Sequence, residues 1–292
     1  MKEINGILDA KAAYEVLRSE LPPGTEVYNT LTLRDIKKNG PKKGKPKVRV
    51  CVDKGPQNVD SHSPTVQMPT LRAILALIAA KRAKGAAGDF PQAYLNADQG
   101  VYYVWPPKSA RQYDEHGNRL VWALPKALYG GRASGRHWYK MLRNWFTTHG
   151  FRVSEWDPCL FVKVEPDGNF HFVGLYVDDL VHAYSDQAAY DSVVAQFRAD
   201  FHGYTDMPLT EIFNAEVNIT DQFVALTQTR YIDALQNKFL SGEVVSPTRT
   251  PAEVNLEETV KKAVEAGKGN LSAEEHSTYR EIVGAVLYVA TV

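Results

Sequence analysis

Phe172-Val173-Gly174-Leu175-Tyr176-Val177-Asp178-Asp179-Leu180-Val181-His182-Ala183-Tyr184 places two adjacent carboxylates between two apolar runs, with no Gly, Asn or Pro at the junction to make an ordinary turn. The flanking runs have the composition of strands. Adjacent like charges beside a core repel one another and are costly to desolvate. Two arrangements make such a pair tolerable: a turn open to water, or neutralisation by a divalent cation. A third carboxylate, Asp89, stands 89 residues earlier and opens Asp89-Phe90-Pro91-Gln92-Ala93-Tyr94-Leu95, again acid first and apolar after. Only the fold can unite residues so far apart. Three such groups are what two Mg²⁺ ions need to clamp an in-line displacement at phosphorus. Lys47 and Arg49 are available as cations for a triphosphate. The residues alone therefore point to two-metal phosphoryl transfer, by a polymerase or a nuclease.

Outward from this stretch, the pattern is α+β. Upstream, Cys159–Val164 and Phe170–Tyr176 alternate around Pro166-Asp167-Gly168-Asn169, a hairpin signal. A helix is expected over Ser134–His149, with Trp138, Leu142, Trp145 and Phe146 on one stripe that reads as core. All five Trp lie between residues 105 and 156, marking that region as the packed centre. Thr70 is the expected cap of a helix running through LRAILALIAAKRAK, after which Gly85 and Gly88 are expected to break the chain before Asp89. Downstream, a helix over Gln187–Phe201 precedes a hairpin of Ile212–Ile219 with Phe223–Thr227, and from Gln228 the pattern is helical.

The 292 residues carry 34 Lys+Arg against 34 Asp+Glu and are 44% hydrophobic, so a real core can be buried and disorder is excluded. Two isolated cysteines, Cys51 and Cys159, exclude a disulfide scaffold and imply a reducing compartment. No apolar run reaches the ~20 residues of a membrane span, and no signal peptide opens the chain. Zero net charge promises no polyanion partner, but it hides a basic segment. Arg34–Lys54 holds nine Lys/Arg against Asp35 and Asp53, and reads as a hairpin with a cationic tip or a solvated lysine-rich loop. It is not a phosphate-binding P-loop: Gly40 and Gly44 are too close, and Pro46 stands where Ser or Thr is required.

Tyr176-Val177-Asp178-Asp179 resembles the YxDD box of reverse transcriptases, and its surroundings resemble the copia-type LTR-retrotransposon (Pseudoviridae) subgroup. Ala127-Leu128-Tyr129-Gly130 with Ser134, Arg136, Trp138 and Tyr139 is similar to that subgroup's A-L-Y-G-L-K-Q-S/A-P-R-x-W-Y motif, and Asp157-Pro158-Cys159-Leu160-Phe161 to its D-P/H-x-L-F segment. Lys47-Val48-Arg49-Val50, Ser63-Pro64-Thr65-Val66, Asp89 with Ala93-Tyr94-Leu95-Asn96, Thr250-Pro251 and Tyr279-Arg280 with Val283-Gly284 follow in register, from about residue 21 to the end. The resemblance implies a right-hand polymerase with an antiparallel palm sheet carrying the YVDD hairpin. In it, residues 1–20 are an N-terminal helical extension, 21–227 fingers and palm, and 228–292 the start of thumb and connection, ending before an RNase H.

The same resemblance implies an RNA-directed DNA polymerase that extends a primer on RNA and DNA templates with deoxynucleoside triphosphates. Asp89, Asp178 and Asp179 would hold two Mg²⁺, or Mn²⁺ in their place, with the Phe90 carbonyl as a further ligand. Lys47 and Arg49 would meet the triphosphate, and the Tyr94 ring would exclude a ribose 2′-OH. Gly130 and Arg132 would lie near the template and nascent pair, and the 212–227 hairpin near the primer grip. No membrane partner is implied. The location implied is cytoplasmic, in a virus-like particle, with the nucleus as alternative. Several positions depart from the pattern. Gly131-Arg132-Ala133-Ser134-Gly135-Arg136 stands where the family has L-K-Q-S-P-R, and Gly203–Met207 lacks the lysine expected as a general acid. Those departures keep a second expectation open: a decayed or domesticated remnant that only binds nucleic acid or serves a structural role.

Overall fold

The apolar runs on either side of Asp178-Asp179 fold back on each other as antiparallel strands, and the second run becomes the centre of a sheet. In this computed structural model, which describes residues 2–36, 44–240, 256–266 and 271–291, the chain forms two units, 1–209 and 210–292. The first unit opens with α1 (Lys2–Asp9), β1 (Tyr14–Leu17), β2 (Val27–Ile36), β3 (Pro46–Asp53), α2 (Met68–Lys81), β4 (Lys84–Asp89), β5 (Asp98–Val104) and β6 (Leu120–Lys126). It continues with α3 (Ser134–Thr148), β7 (Arg152–Val153), β8 (Leu160–Val164), β9 (Phe170–Tyr176), β10 (Asp179–Tyr184), α4 (Gln187–Asp200) and β11 (Thr205–Pro208). The second contains β12 (Glu211–Ile212), β13 (Ala215–Ile219), β14 (Val224–Thr227), α5 (Thr229–Phe239), α6 (Leu256–Glu265) and α7 (Ala273–Thr291). The α+β class read from the sequence is the class observed.

Two sheets build the first unit. One has the order β1-β6-β5-β2-β3, and the other the order β11-β4-β10-β9-β8-β7. All neighbours in the second sheet are antiparallel. Leu180 to Tyr184 are all buried, because β10 has strands on both edges and helices over both faces. On one face a Cβ at Gly174 would lie 3.0 Å from Ile74 of α2, so the missing side chain lets that helix approach. On the other, Phe161 stacks on Phe146 of α3 at 4.1 Å, and His182 faces Phe197 of α4. His182 and His171 form a buried pair, Nδ1 to Nε2 at 2.9 Å. Burial pushes His171 down to about 3 and His182 well below its ordinary value, so both stay neutral.

The expected hairpin around Asp167-Gly168 forms between β8 and β9, with Gly168 at φ +88°. The expected α3 stripe is buried at Trp138, Leu142, Trp145 and Phe146. Three expectations need correction. Gly85 and Gly88 do not break the chain but lie inside β4, where a Cβ on Gly88 would meet the Tyr204 hydroxyl at 2.5 Å. Trp156 is not in the packed centre but 90% exposed. Thr70 does not cap α2, which starts at Met68 with no side-chain cap at Gln67. The orphaned start of that helix is served instead by the buried Asp157, which accepts from the Gln67 amide (2.9 Å), the Thr70 hydroxyl (2.7 Å) and the Cys159 amide (2.9 Å). The helical reading from Gln228 holds, as α5, α6 and α7. The cationic tip at residues 37–43 and the Thr250-Pro251 turn lie outside the described residues.

Because Asp157 is 1% exposed and joins α2 to β8 through three charge-assisted bonds, its loss should be costly. Asp157→Ala is expected to destabilise the fold by about 3 kcal/mol, at the upper end for hydrogen bonds to a charged group. Urea titration checks this, and a change below about 1 kcal/mol would contradict the assigned role.

Candidate active site

The antiparallel register brings the carboxylates together. Asp179, the first residue of β10, stands directly opposite Asp89, the last residue of β4. Directly opposed residues of an antiparallel pair project from the same face, and like charges there are destabilising. Asp178 precedes them in a two-residue connection, since Asp179 pairs with Tyr176 across the hairpin. The first residue of that connection, Val177, has φ +56°. A β-branched side chain in the left-handed region is strained by about 1–2 kcal/mol. The turn is nevertheless held. The Trp138 indole N–H donates to the Val177 carbonyl at 2.6 Å, and the Phe90 amide donates to the Asp178 carbonyl at 3.0 Å.

The electrostatics follow from this crowding. Burial pushes Asp178 upward, against the pull of its backbone hydrogen bond, Arg49 and Lys47. Asp179 keeps one side open to water, yet the protein beneath it, Asp178 and Asp89 push it up to about 6. Arg49 and Lys47 project from β3, and the Arg49 guanidinium lies 5.1 Å from the centroid of the Tyr129 ring. Tyr129 in turn packs against Tyr94 at 5.0 Å. Burial pushes Tyr129 up to about 12, and burial and Asp178 raise Tyr94, so both hydroxyls stay protonated.

Each residue singled out in the sequence can now be located. Asp89, Asp178, Asp179, Lys47, Arg49 and Tyr94 share one electrostatic neighbourhood. The Phe90 ring is fully buried against Trp138, Phe197, Phe201 and Tyr204, and its amide anchors the turn. Gly130 has φ +83°, and a Cβ there would lie 2.3 Å from the Val52 carbonyl, so only glycine fits against β3. Arg132 donates to Gln57 at 2.6 Å. Two contributors carry no site role in the sequence pattern: Tyr129 stands only inside a motif, and Trp138 only in that motif and on the core stripe. The signal for Trp138 is an indole N–H, a donor that an apolar stripe does not need and that requires an acceptor when buried.

Hard carboxylate oxygens are the donor chemistry that Mg²⁺ and Mn²⁺ prefer, and the register gathers three carboxylate-bearing residues at one end of the sheet. The donor set therefore fits such a metal. Among the described residues no group of three or more His, Cys, Asp or Glu is already posed to hold one.

A family model described as reverse transcriptase (RNA-dependent DNA polymerase) matches residues 18–253. The chain is 25% identical over 304 residues to the retrovirus-related Pol polyprotein from transposon TNT 1-94 of Nicotiana tabacum, covering 99% of this chain and 22% of that protein. The retrovirus-related Pol polyproteins from transposons RE1 and RE2 of Arabidopsis thaliana are each 25% identical over 236 residues, 79% of this chain and 15% of theirs. The chain thus spans less than a quarter of the length of these curated relatives. Among solved structures, telomerase from Candida albicans in complex with a fragment of telomeric RNA is similar at TM-score 0.41 and 10% identity, over 83% of this chain and 55% of that one. Apo telomerase from Candida tropicalis is similar at TM-score 0.42 and 8% identity, over 79% and 52%.

An Asp179 raised to about 6 binds its proton more tightly in the native protein than in the unfolded chain, where the ordinary value is 3.8. Its ionisation therefore costs stability as pH rises through that window, and the full cost stands above it. In metal-free buffer, Asp179→Asn is expected to melt above the parent at pH 7.5, with the advantage vanishing near pH 4. A pH-independent advantage in thermal melts would show that the charge is not strained.

Proposed function

This chain belongs to the reverse transcriptase (RNA-dependent DNA polymerase) family, in its copia-type LTR-retrotransposon branch, and from that premise we propose that it catalyses template-directed transfer of deoxynucleotides to a primer 3′-OH. Residues 21–227 are read as fingers and palm, the β11-β4-β10-β9-β8-β7 sheet as the palm, and residues 228–292 as the start of thumb and connection. The observation that carries the proposal is the register that sets Asp179 opposite Asp89 with Asp178 beside them. A sheet has no structural reason to oppose two carboxylates at a strand end.

Asp89, Asp178 and Asp179 would hold two Mg²⁺, with the Phe90 carbonyl as a further ligand. Bound there, the metal would supply neutralisation of the attacking and leaving oxygens in an in-line displacement at phosphorus. The chain's own cations do the rest of the electrostatic work. Arg49, over the Tyr129 ring, and Lys47 on the same strand would receive the triphosphate; their pull on Asp178 supports this reading. The Tyr94 ring, braced by Tyr129, would lie under the sugar and exclude a 2′-OH. Template and primer, RNA or DNA, are the expected macromolecular partners.

A non-catalytic nucleic-acid-binding role is the second reading. Arg132, which would approach the template, is engaged with Gln57, and Ala133 removes the amide that the family places next to it.

Primer extension on RNA and DNA templates decides between the two. The parent chain with Mg²⁺ is expected to extend at least about a hundredfold faster than Asp178→Asn, the scale of removing a group that acts only on the developing charge. Extension no faster than this control would leave the second reading. Tyr94→Ala is expected to raise ribonucleotide use relative to deoxynucleotide by at least about tenfold, the scale of relieving a steric misfit of 1–3 kcal/mol. Unchanged sugar selectivity would return Tyr94 to a packing role.

A further inference from the structure

We propose that Trp138 is a positioning residue for the carboxylate site, clamping the strained Val177-Asp178 turn through its indole N–H while its ring fixes Phe90. The catalytic meaning of this role rests on the polymerase reading above; the clamp itself does not.

Three observations converge on one side chain. Val177 adopts φ +56° without the glycine that such a position favours, so the turn needs outside support to stay in that conformation. That support comes from two donors, the Trp138 indole to the Val177 carbonyl and the Phe90 amide to the Asp178 carbonyl. Between them they fix both peptide planes on which Asp178 is mounted. Trp138 also packs edge-on against the Phe90 ring at 5.0 Å, and against Phe201 at 5.7 Å. Phe90 follows Asp89 in the chain. One indole therefore touches the chain neighbour of two of the three carboxylates, Val177 before Asp178 and Phe90 after Asp89, although these come from separate parts of the chain.

Filling the core would require only a large apolar ring. Trp138 is 1% exposed, and a donor buried to that degree needs an acceptor. The acceptor here is the carbonyl of the one residue in the hairpin whose backbone is strained. The indole N–H is donor-only and fixed on a rigid ring, so it holds that carbonyl in one direction. On α3 the Trp138 backbone is anchored by its place on the stripe with Leu142, Trp145 and Phe146, all buried. The clamp thus passes the rigidity of the helix to the turn.

The test compares the parent, Trp138→Phe, Trp138→Phe with Val177→Gly, and Asp178→Asn. Phenylalanine keeps a ring but removes the donor, and glycine accepts a positive φ without strain. Three readouts are taken: amide hydrogen exchange over residues 176–180, Mn²⁺ binding by electron paramagnetic resonance, and steady-state primer extension. Trp138→Phe is expected to speed exchange and weaken Mn²⁺ binding about tenfold, the effect of one net hydrogen bond. In extension it should lower kcat by a similar factor, with KM for the deoxynucleotide little changed. Adding Val177→Gly should restore slow exchange and Mn²⁺ binding, which no loss of ordinary core packing would allow. If Trp138→Phe alone does not fold, folding and Mn²⁺ binding of the double variant support the clamp. Parent-like exchange in Trp138→Phe, or failure of Val177→Gly to rescue, overturns it, as does failure of both variants to fold. If the parent binds Mn²⁺ no better than Asp178→Asn, the polymerase reading fails, and hydrogen exchange still decides the clamp.

Discussion

Two carboxylates directly opposed across an antiparallel ladder, with a third beside them, form the constraint around which the first unit is organised. Sheets gain from cross-strand pairs that attract or pack, and Asp179 opposite Asp89 does neither. The repulsion shows at Asp179, raised by burial and then by Asp178 and Asp89, whereas Asp178 is raised by burial against the pull of Arg49 and Lys47. Such an arrangement persists only if the strands carrying it are stabilised elsewhere. Here β10 lies in the interior of the sheet, buried from Leu180 to Tyr184 and bonded to β4 and β9 at once.

What opposes the repulsion is an aromatic layer directly beneath. Phe90, Trp138, Phe146, Phe161 and Phe197 are all at most 1% exposed and meet at ring distances from 4.1 to 5.6 Å. Each such ring is worth about 3–5 kcal/mol when removed, more than a like-charge contact that water still reaches from one side. The ordering of magnitudes explains the layout: rigid apolar packing sets the backbone, and the charged tips are left to be satisfied by what binds. The strained Val177 sits at the boundary between these two regimes.

The sequence displayed the elements more clearly than their contacts. Period-two alternation around Asp167-Gly168 and the α3 stripe report burial, which acts residue by residue, and both led to the observed elements. Gly85 and Gly88 misled because a glycine inside a strand looks like a break until its partner is known, and Tyr204 is 116 residues beyond Gly88. Thr70 misleads for the same reason: local capping rules assign it the start of α2, which Asp157, about 90 residues away, serves instead. The site was half legible. Its carboxylates announced themselves as charges against a core, whereas Tyr129 and Trp138 act through a ring contact and one N–H that composition does not distinguish from ordinary packing.

Net charge behaves in the same way as these local features. A total of zero sums positive residues on β3 with acids at the ends of β4 and β10, and the two groups are near enough for Lys47 and Arg49 to pull on Asp178. A polyanion approaching this face meets both signs at once. Attraction to the cations is partly cancelled by the bare carboxylates, and the cancellation is lifted when a divalent cation covers them. Metal and nucleic acid would then bind with positive coupling, each removing repulsion felt by the other, as reciprocity between two sites requires. With little surplus positive charge elsewhere, affinity for a template without metal would rest on few phosphate contacts, and each of those is lost as salt rises.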